Sequence, residues 1–223
     1  MENTISRKGD FNDRSHAASG LRRRARKKFA PQPFLMVPPE TDEKSEAHWL
    51  PSEEALGLAQ RKAASVANRF PTAVVLGSDT LINLNGQKIG KPENETGARR
   101  ILRELRGRTH EVLTGVAMLH QASGKSIGWI EAVKVTMRSF SDAELDAYAS
   151  SEEPLDKAGA YSLQGKGRSL IERLEGDYLA AVGLPLKAVA TGLRSLDVPV
   201  TVDVDKLYRE RDFLNWRTFP APR

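Results

Sequence analysis

The chain has 223 residues, of which 39% are hydrophobic, a net charge of +5 and no cysteine. Because cysteine is absent, disulfide bonds, zinc–thiolate sites, thiol nucleophiles and iron–sulfur clusters are excluded. No apolar run reaches the roughly 18–20 residues that span a bilayer, and the polar N-terminus has no signal-peptide pattern, so we expect a soluble, cytoplasmic protein with no membrane partner.

The N-terminal part of the chain is polar and strongly basic. Residues 1–20 show no periodicity, which is typical of a poorly ordered segment. Residues 22–28 (Arg-Arg-Arg-Ala-Arg-Lys-Lys) carry six positive charges, and without them the rest of the chain has a net charge of −1. This segment has no interleaved aromatic residues, so we do not expect the nucleic-acid partner that its charge would otherwise indicate.

The next elements alternate between strand and helix. Residues 34–37 are a short apolar run ended by two prolines, which predicts a strand. Ser52 is the predicted N-cap of a helix whose apolar residues recur at helical spacing. Residues 73–76 have the pattern of a buried strand, which we expect to end at Gly77.

Hairpins dominate the middle of the chain. The pair Asn85-Gly86 predicts a two-residue hairpin turn, because both residues tolerate positive φ. Asn94 is the predicted N-cap of a helix. Residues 112–119 are almost continuously apolar, which predicts a strand covered on both faces, and residues 125–137 are its predicted antiparallel partner.

Three shorter elements follow. Ser141 and Glu144 form a capping-box pattern that predicts a helix start. Residues 169–174 predict a strand, and residues 185–193 a helix that begins with proline. Because strands and helices are mixed with hairpins and do not alternate strictly, the predicted fold class is α/β with mixed α+β character.

Asp79 is the first candidate for chemistry. It follows the predicted strand through Gly77 and Ser78, and open α/β sheets place ligand sites at the carboxyl ends of their strands. A carboxylate there can hold Mg²⁺ together with substrate phosphates, or orient an attacking water. The alternative is a turn aspartate that bonds its own backbone.

Other polar residues suit a phosphate ligand. Lys91 lies between glycine and proline and can meet a phosphate as a point charge, although loop lysines are usually only solvated. Lys62 lies in an alanine-rich helix, where its charge needs a partner, and an anionic ligand is one candidate. The acidic residues 40–43 can supply a second metal carboxylate or form a solvated loop. Residues 159–165 suit either base recognition or a packed turn.

Eight short motifs occur in a fixed order between residues 22 and 196. They are Ala59-Gln60-Arg61-Lys62-Ala63, Gly77-Ser78-Asp79-Thr80, Gly90-Lys91-Pro92, Gly107-Arg108-Thr109-His110-Glu111-Val112-Leu113-Thr114-Gly115, Glu153-Pro154-Leu155-Asp156-Lys157-Ala158-Gly159-Ala160-Tyr161, Gln164-Gly165, Glu175-Gly176-Asp177-Tyr178 and Val182-Gly183-Leu184-Pro185. Together they resemble the Maf family of nucleotide pyrophosphatases, also described as septum-formation inhibitors.

This resemblance implies a two-lobed, inosine-triphosphatase-like fold around a twisted mixed sheet with a nucleotide cleft. It places the enzyme domain at residues 21–198, before a C-terminal extension at 199–223. That extension can dock on its own body or on a second subunit of a homodimer. The implied reaction converts a nucleoside triphosphate to its monophosphate and pyrophosphate, by metal-assisted attack of water on the α-phosphorus with Mg²⁺ or Mn²⁺ as cofactor.

The resemblance also assigns the catalytic and metal-binding residues. The family's catalytic carboxylate corresponds to Asp79, and its phosphate-binding lysines to Lys62 and Lys91. Its loop carboxylate corresponds to Glu43, which would share the metal with Asp79. Hydrolysis of a triphosphate needs positioned cations and a metal more than a protein nucleophile, so this set fits the implied chemistry.

Four further residues are assigned to substrate binding by the same resemblance. Thr80 and Gln164 look like the base-reading pair of the branch that acts on dTTP, UTP and related pyrimidine nucleotides. Arg22 and Arg23 match the arginines of the family's opening phosphate loop. Ser78 stands where alanine is usual in the pyrimidine branch.

The opening phosphate loop departs from the family pattern. The family has Ser-x-Ser-Pro-Arg-Arg, whose hydroxyls and backbone donors bind phosphate at a helix N-terminus. Here residues 18–21 are Ala-Ser-Gly-Leu, so the proline and both serines of the motif are missing from their positions, and Ser19 is out of register by one. Loss of one such donor costs about 2–4 kcal/mol, or about 10²–10³ in rate. The alternative to an active enzyme is therefore a catalytically impaired nucleotide-binding or regulatory relative.

Overall fold

The computed structural model describes residues 35–42, 48–151 and 153–210, which form five strands and six α-helices. In chain order these are α1 (Pro51–Ala67), β1 (Val74–Leu84), β2 (Gln87–Ile89), α2 (Glu95–Leu105), β3 (Thr109–His120), β4 (Lys125–Met137), α3 (Asp142–Ala149), β5 (Ile171–Glu175), α4 (Tyr178–Ala181), α5 (Leu186–Ser195) and α6 (Val204–Glu210). The prediction of an α/β fold with α+β character is confirmed.

The five strands form one sheet in the order β2-β1-β3-β4-β5. Every pairing among these described strands is antiparallel. The resemblance implied a mixed sheet, but the described strands include no parallel pair. β3 lies at the centre and is buried without interruption from Val112 to Met118. The prediction that this strand is covered on both faces is confirmed.

Local signals placed several elements correctly. Asn85 and Gly86 form the hairpin turn between β1 and β2 with φ values of 52° and 86°. The Asn94 side chain accepts a hydrogen bond from the N–H of Gly97 at 2.9 Å and caps α2. Ser141 forms the predicted capping box at the start of α3. These features depend only on residues close together in the chain, so local sequence patterns predict them.

One predicted helix start and one predicted strand were wrong. α1 begins at Pro51 with Leu50 as N-cap, not at Ser52. Proline fits the first helical position because its missing N–H would have no partner there, and the Glu53 carboxylate accepts the Leu50 N–H at 2.9 Å. No strand forms at residues 35–37, the described part of the predicted strand at 34–37.

β1 does not end at Gly77, contrary to the prediction. The strand continues through Gly77 and Asp79 as far as Leu84 and stays paired with β3. A Cβ on Gly77 would overlap the carbonyl oxygen of Ala59 and lie 2.8 Å from the backbone nitrogen of Ala63. The glycine is therefore a packing contact between strand and helix and does not terminate the strand.

Small residues bring α1 close to one face of the sheet. A Cβ on Gly115 of β3 would overlap the backbone of Ala55. Ala59, Ala63 and Ala117 form a buried cluster between this helix and the strands. The opposite face carries the main core, which includes residues of α2, α3, α4 and β5.

The described part of the C-terminal extension docks on the chain's own body. α6 buries Val204 and Tyr208, which are 6% and 8% exposed. The sequence left open whether the extension contacts its own body or another subunit, and for residues 204–210 the structure shows the former. None of the described helices is long and apolar enough to cross a membrane.

Candidate functional site

Lys62 of α1 and Asp79 of β1 form an ion pair. Lys62 Nζ lies 2.5 Å from Asp79 Oδ1, and the two side chains are only 17% and 12% exposed. The pair forms because the contact at Gly77 brings the helix backbone close to the strand. An ion pair this deeply placed is screened weakly, and removal of either partner leaves a poorly solvated charge.

Asp79 lies in the middle of a strand. It is paired with Gly115 of β3, so it stands neither at the carboxyl end of a strand nor in a turn. Both local interpretations drawn from the sequence are therefore wrong about its position. The feature that singles it out is its contact with Lys62, a residue 17 positions earlier in the chain.

One edge of β1 has a strand neighbour only near the hairpin. β2 pairs with Ile82, Asn83 and Leu84, so among the described strands the stretch from Val74 to Leu81 is paired on the β3 side alone. Successive side chains of a strand point to opposite faces. A ligand at this edge would meet Asp79 on the α1 face and Thr80 on the other.

Thr80 belongs to a chain of hydroxyl hydrogen bonds. Its Oγ1 lies 2.8 Å from Thr114 Oγ1, and Thr114 donates its own proton to the Ala180 carbonyl at 2.8 Å. Because a hydroxyl has one proton, Thr80 is the donor in the first bond. The Thr80 oxygen then presents its lone pairs as acceptors.

Ser78 contacts the turn between α4 and α5. Its Oγ lies 2.9 Å from the Gly183 carbonyl oxygen and 3.1 Å from that of Gly115. Gly183 has a φ of 97°, and a Cβ there would lie 3.2 Å from Thr80 Oγ1. Ser78 and Thr80 thus pack against the same turn.

Gln164 also interacts with α4, the short helix that contains Ala180. Its side chain interacts with the hydroxyl of Tyr178 and lowers the pKa of that group, whereas burial, the larger effect, raises the pKa. The loop around it is held by Glu153, whose carboxylate accepts the N–H groups of Lys166 and Gly167 at 2.9 and 3.1 Å. Both members of the expected base-reading pair therefore connect to α4, Thr80 through Thr114 and Gln164 through Tyr178.

Lys91 is a surface residue. It is exposed in the loop after β2. The preceding Gly90 carbonyl accepts the N–H of Gly159 at 3.0 Å, which ties this loop to the segment that leads to Gln164. The Lys91 side chain is thus open to solvent.

Three of the expected residues, Arg22, Arg23 and Glu43, lie outside the described residues. Within the described ranges, no group of three or more histidine, cysteine, aspartate or glutamate side chains is placed to hold a metal ion. His110 is buried, with Nε2 2.7 Å from the Tyr161 hydroxyl, and burial lowers its pKa to about 4. We interpret it as a neutral core residue.

Two charged contacts were not expected from the sequence. Glu54 of α1 is 3% exposed, and its Oε1 lies 2.5 Å from Nζ of Lys88 on β2, so this pair joins the helix to the hairpin. Asp177 accepts a hydrogen bond from Tyr208 at 2.7 Å. The only signal for Glu54 is that it lies eight positions before Lys62, close to the same helix face.

A small-residue helix packed on an antiparallel sheet, with a lysine–aspartate pair beside a strand edge that has no partner among the described strands, defines an α/β protein with a candidate polar ligand site. The motifs that build this site define the family. A family model described as Maf-like protein matches residues 17–196, and the chain belongs to the Maf family.

Its relatives match over most of their length. The chain is 40% identical over 185 residues to a dTTP/UTP pyrophosphatase of Bacillus mycoides (strain KBAB4), covering 83% of this chain and 96% of that protein. It is 39% identical to the dTTP/UTP pyrophosphatase of Bacillus cereus (strain B4264), with the same coverage. A third, from Bacillus cereus (strain ATCC 10987 / NRS 248), is 39% identical, with 90% of its length covered.

Proposed function

We propose that the protein hydrolyses nucleoside triphosphates of the dTTP/UTP class to the monophosphate and pyrophosphate. The observation that carries the proposal is the Lys62–Asp79 pair beside the part of β1 that has one strand neighbour among the described strands, within a chain about 40% identical to proteins named dTTP/UTP pyrophosphatase. The similarity supports the reaction, and the geometry supports the assignment of residues to it.

Asp79 is the proposed catalytic carboxylate. In the reaction, a water oxygen bonds to the α-phosphorus, the bond from that phosphorus to the α,β-bridging oxygen breaks, and pyrophosphate leaves. A carboxylate that accepts a hydrogen bond from this water can orient it and take up its proton. The ion pair with Lys62 fixes the side chain of Asp79 in one position.

Lysines and arginines are the proposed phosphate-binding groups. Lys62 lies beside Asp79, and Lys91 is exposed on a loop that can approach the triphosphate. Their ammonium groups offset the negative charge that grows on the leaving pyrophosphate. Arg22 and Arg23, outside the described residues, remain predicted contributors.

A divalent metal ion, Mg²⁺ or Mn²⁺, fits the donor chemistry of Asp79. Carboxylate oxygens are ligands that both ions prefer, and the side chain is 12% exposed. Mg²⁺ is commonly bound through one or two carboxylates plus substrate phosphates, so the substrate, water and the predicted Glu43 would complete the set. When bound, the metal neutralises phosphate charge and favours attack at phosphorus.

The base-reading pair suits uracil and thymine. These bases present an N3–H donor between two carbonyl acceptors, whereas cytosine has no proton on N3. Thr80 presents an acceptor oxygen because its proton is used by Thr114. The Gln164 amide can donate to a neighbouring carbonyl of the base. A nucleotide lying across the edge of β1 would reach Thr80 and Asp79 on the two faces.

The test is a nucleotide panel with separate detection of products. Full-length protein is incubated with dTTP, UTP, CTP, ATP or GTP and Mg²⁺ or Mn²⁺, and pyrophosphate is measured apart from orthophosphate. We expect pyrophosphate as the first phosphate product, with dTTP and UTP turned over fastest. Orthophosphate as the first product would contradict the proposal and indicate another phosphatase reaction.

A second candidate function is nucleotide binding without turnover. The altered sequence at residues 18–21, where the family has its serines and proline, favours it. In that case UTP would raise the melting temperature of the protein, but no nucleotide would yield pyrophosphate.

The setting of the activity is also proposed. Free dTTP and UTP are cytoplasmic metabolites, so we place the activity in the cytoplasm, which fractionation of cells would test.

The expected homodimer would appear as twice the chain mass of 24.6 kDa in light scattering; a monomer at assay concentration would contradict it.

A further inference from the structure

The C-terminal helix α6 lies beyond residues 17–196, the part that the family model matches. It is anchored by two buried side chains, Val204 and Tyr208. Lys187 of α5 adds two contacts, because its Nζ lies 4.8 Å from the centre of the Tyr208 ring and 3.2 Å from Asp205 Oδ1. The ring of Tyr208 is thus held in a fixed place against α5.

The hydroxyl of Tyr208 connects two helix N-termini. It donates to Asp177 Oδ2 at 2.7 Å and accepts the backbone N–H of Lys187 at 3.3 Å. Asp177 is the N-cap of α4, where its Oδ1 accepts the N–H of Leu179 at 2.9 Å. Lys187 lies in the first turn of α5, whose N-cap residue Pro185 makes no side-chain cap.

Between those two N-termini lie α4 and the turn at Gly183. This turn is the part that contacts Ser78 and Thr80. Ser78 reaches the Gly183 carbonyl at 2.9 Å, and Thr114 links Thr80 to the Ala180 carbonyl. The Tyr208 hydroxyl therefore fixes both ends of the segment that sets the position of the Thr80 hydroxyl.

The Asp177 carboxylate makes this link sensitive to the loss of Tyr208. Burial raises the pKa of Asp177, while the hydrogen bond from Tyr208 and those from the backbone act in the opposite direction. Without the hydroxyl, a largely buried carboxylate loses a donor, which costs more than the bond alone contributes. The segment between residues 177 and 187 would then relax to find other partners.

We propose that Tyr208 is a positioning residue for base recognition, which acts by holding the α4–α5 turn against Ser78 and Thr80. The inference rests on the proposed function, since it concerns how the same site selects its nucleotide. It assigns to the extension at residues 199–210 a role in selecting the substrate, in addition to covering the core.

The test uses Tyr208→Phe, which keeps the ring and removes the hydroxyl. We expect KM for UTP to rise about tenfold, as for the loss of a hydrogen bond to a charged group, with kcat changed less than twofold. The preference for UTP over CTP in kcat/KM should fall by a similar factor. Asp177→Asn should give the same change, and the double variant should show no further loss.

The matched control is Ile101→Val in α2, which trims a buried side chain away from the turn. A merely structural role for Tyr208 predicts that both variants lower the melting temperature and leave KM and the UTP/CTP preference unchanged. That result would overturn the inference while the proposed function stands.

Equilibrium binding separates the two proposals. If the wild-type protein releases no pyrophosphate from any nucleotide, the proposed function fails. The Kd values for UTP and CTP are then compared between wild type and Tyr208→Phe. A weaker Kd for UTP with a smaller UTP/CTP difference would still support the positioning role, and unchanged Kd values would overturn it.

Discussion

Gly77 and Ala59 touch backbone to backbone, so that no side-chain carbon fits between them. This contact sets the distance between α1 and β1, and with it the distance between Lys62 and Asp79. The helix face involved consists largely of alanine, and the strands opposite it carry glycine or alanine. The close packing of α1 on β1 thus brings Lys62 and Asp79 together, although the residues in contact have no functional side chains.

Gly77→Ala should destabilise the protein. The added methyl group has to push α1 away from β1, and overpacking of this kind costs about 1–3 kcal/mol. The free energy of unfolding, measured in urea, should fall by this amount. The control is Gly90→Ala, where a Cβ meets nothing within 4 Å; equal losses in the two variants would show that the contact at Gly77 is unimportant.

Thr80→Val should weaken the choice of base without unfolding the protein. Valine keeps the shape of threonine and removes the acceptor oxygen, so kcat/KM for UTP relative to CTP should fall about three- to tenfold. Thr109→Val is a matched control, because Thr109 forms a similar pair with Thr136 at 2.9 Å on an exposed part of the sheet. A change of equal size in both variants would contradict base recognition by Thr80.

His110 should make the protein less stable as the pH falls below 6.5. Its pKa is about 4 in the folded protein and 6.5 when unfolded, so between these values the unfolded chain binds more protons. The stability that His110 contributes is therefore complete above pH 6.5 and is lost as the pH falls towards 4. Between pH 7 and pH 5 the loss is about 2 kcal/mol.

Chemical denaturation of His110→Gln at both pH values isolates this effect. Glutamine can still hydrogen-bond Tyr161 but does not titrate, so the variant should lose about 2 kcal/mol less than the wild type between pH 7 and pH 5. The carboxylates titrate alike in both proteins. Parallel pH profiles for the two would mean that the pKa of His110 is the same in the folded and unfolded states, which would contradict the prediction.

The elements that local sequence predicts well are those that local contacts decide. The hairpin at Asn85-Gly86, the cap at Asn94 and the capping box at Ser141 all satisfy backbone groups within a few residues. β1 was predicted too short because glycine usually weakens a strand. At Gly77 its small size is required by a helix that precedes it in the chain, which no local pattern reveals.

The candidate site likewise combines features that local sequence predicts with features that depend on residues far apart in the chain. The residue types at Lys62 and Asp79 indicated phosphate chemistry, but their contact depends on the packing of α1 against the sheet. That Thr80 faces away from Asp79 follows from strand alternation once both are known to lie in one strand. The contact between Tyr208 and Asp177 could not be predicted locally, because the two residues are 31 positions apart in the chain.

The central claim is that Asp79 is the catalytic carboxylate of a dTTP/UTP pyrophosphatase. The most direct measurement is pyrophosphate release from dTTP and UTP by the wild type and by Asp79→Asn, with folding of both checked by circular dichroism. We predict that the wild type releases pyrophosphate and that the variant, still folded, loses at least about 10²-fold in kcat. A folded Asp79→Asn variant with undiminished release of pyrophosphate would contradict the account.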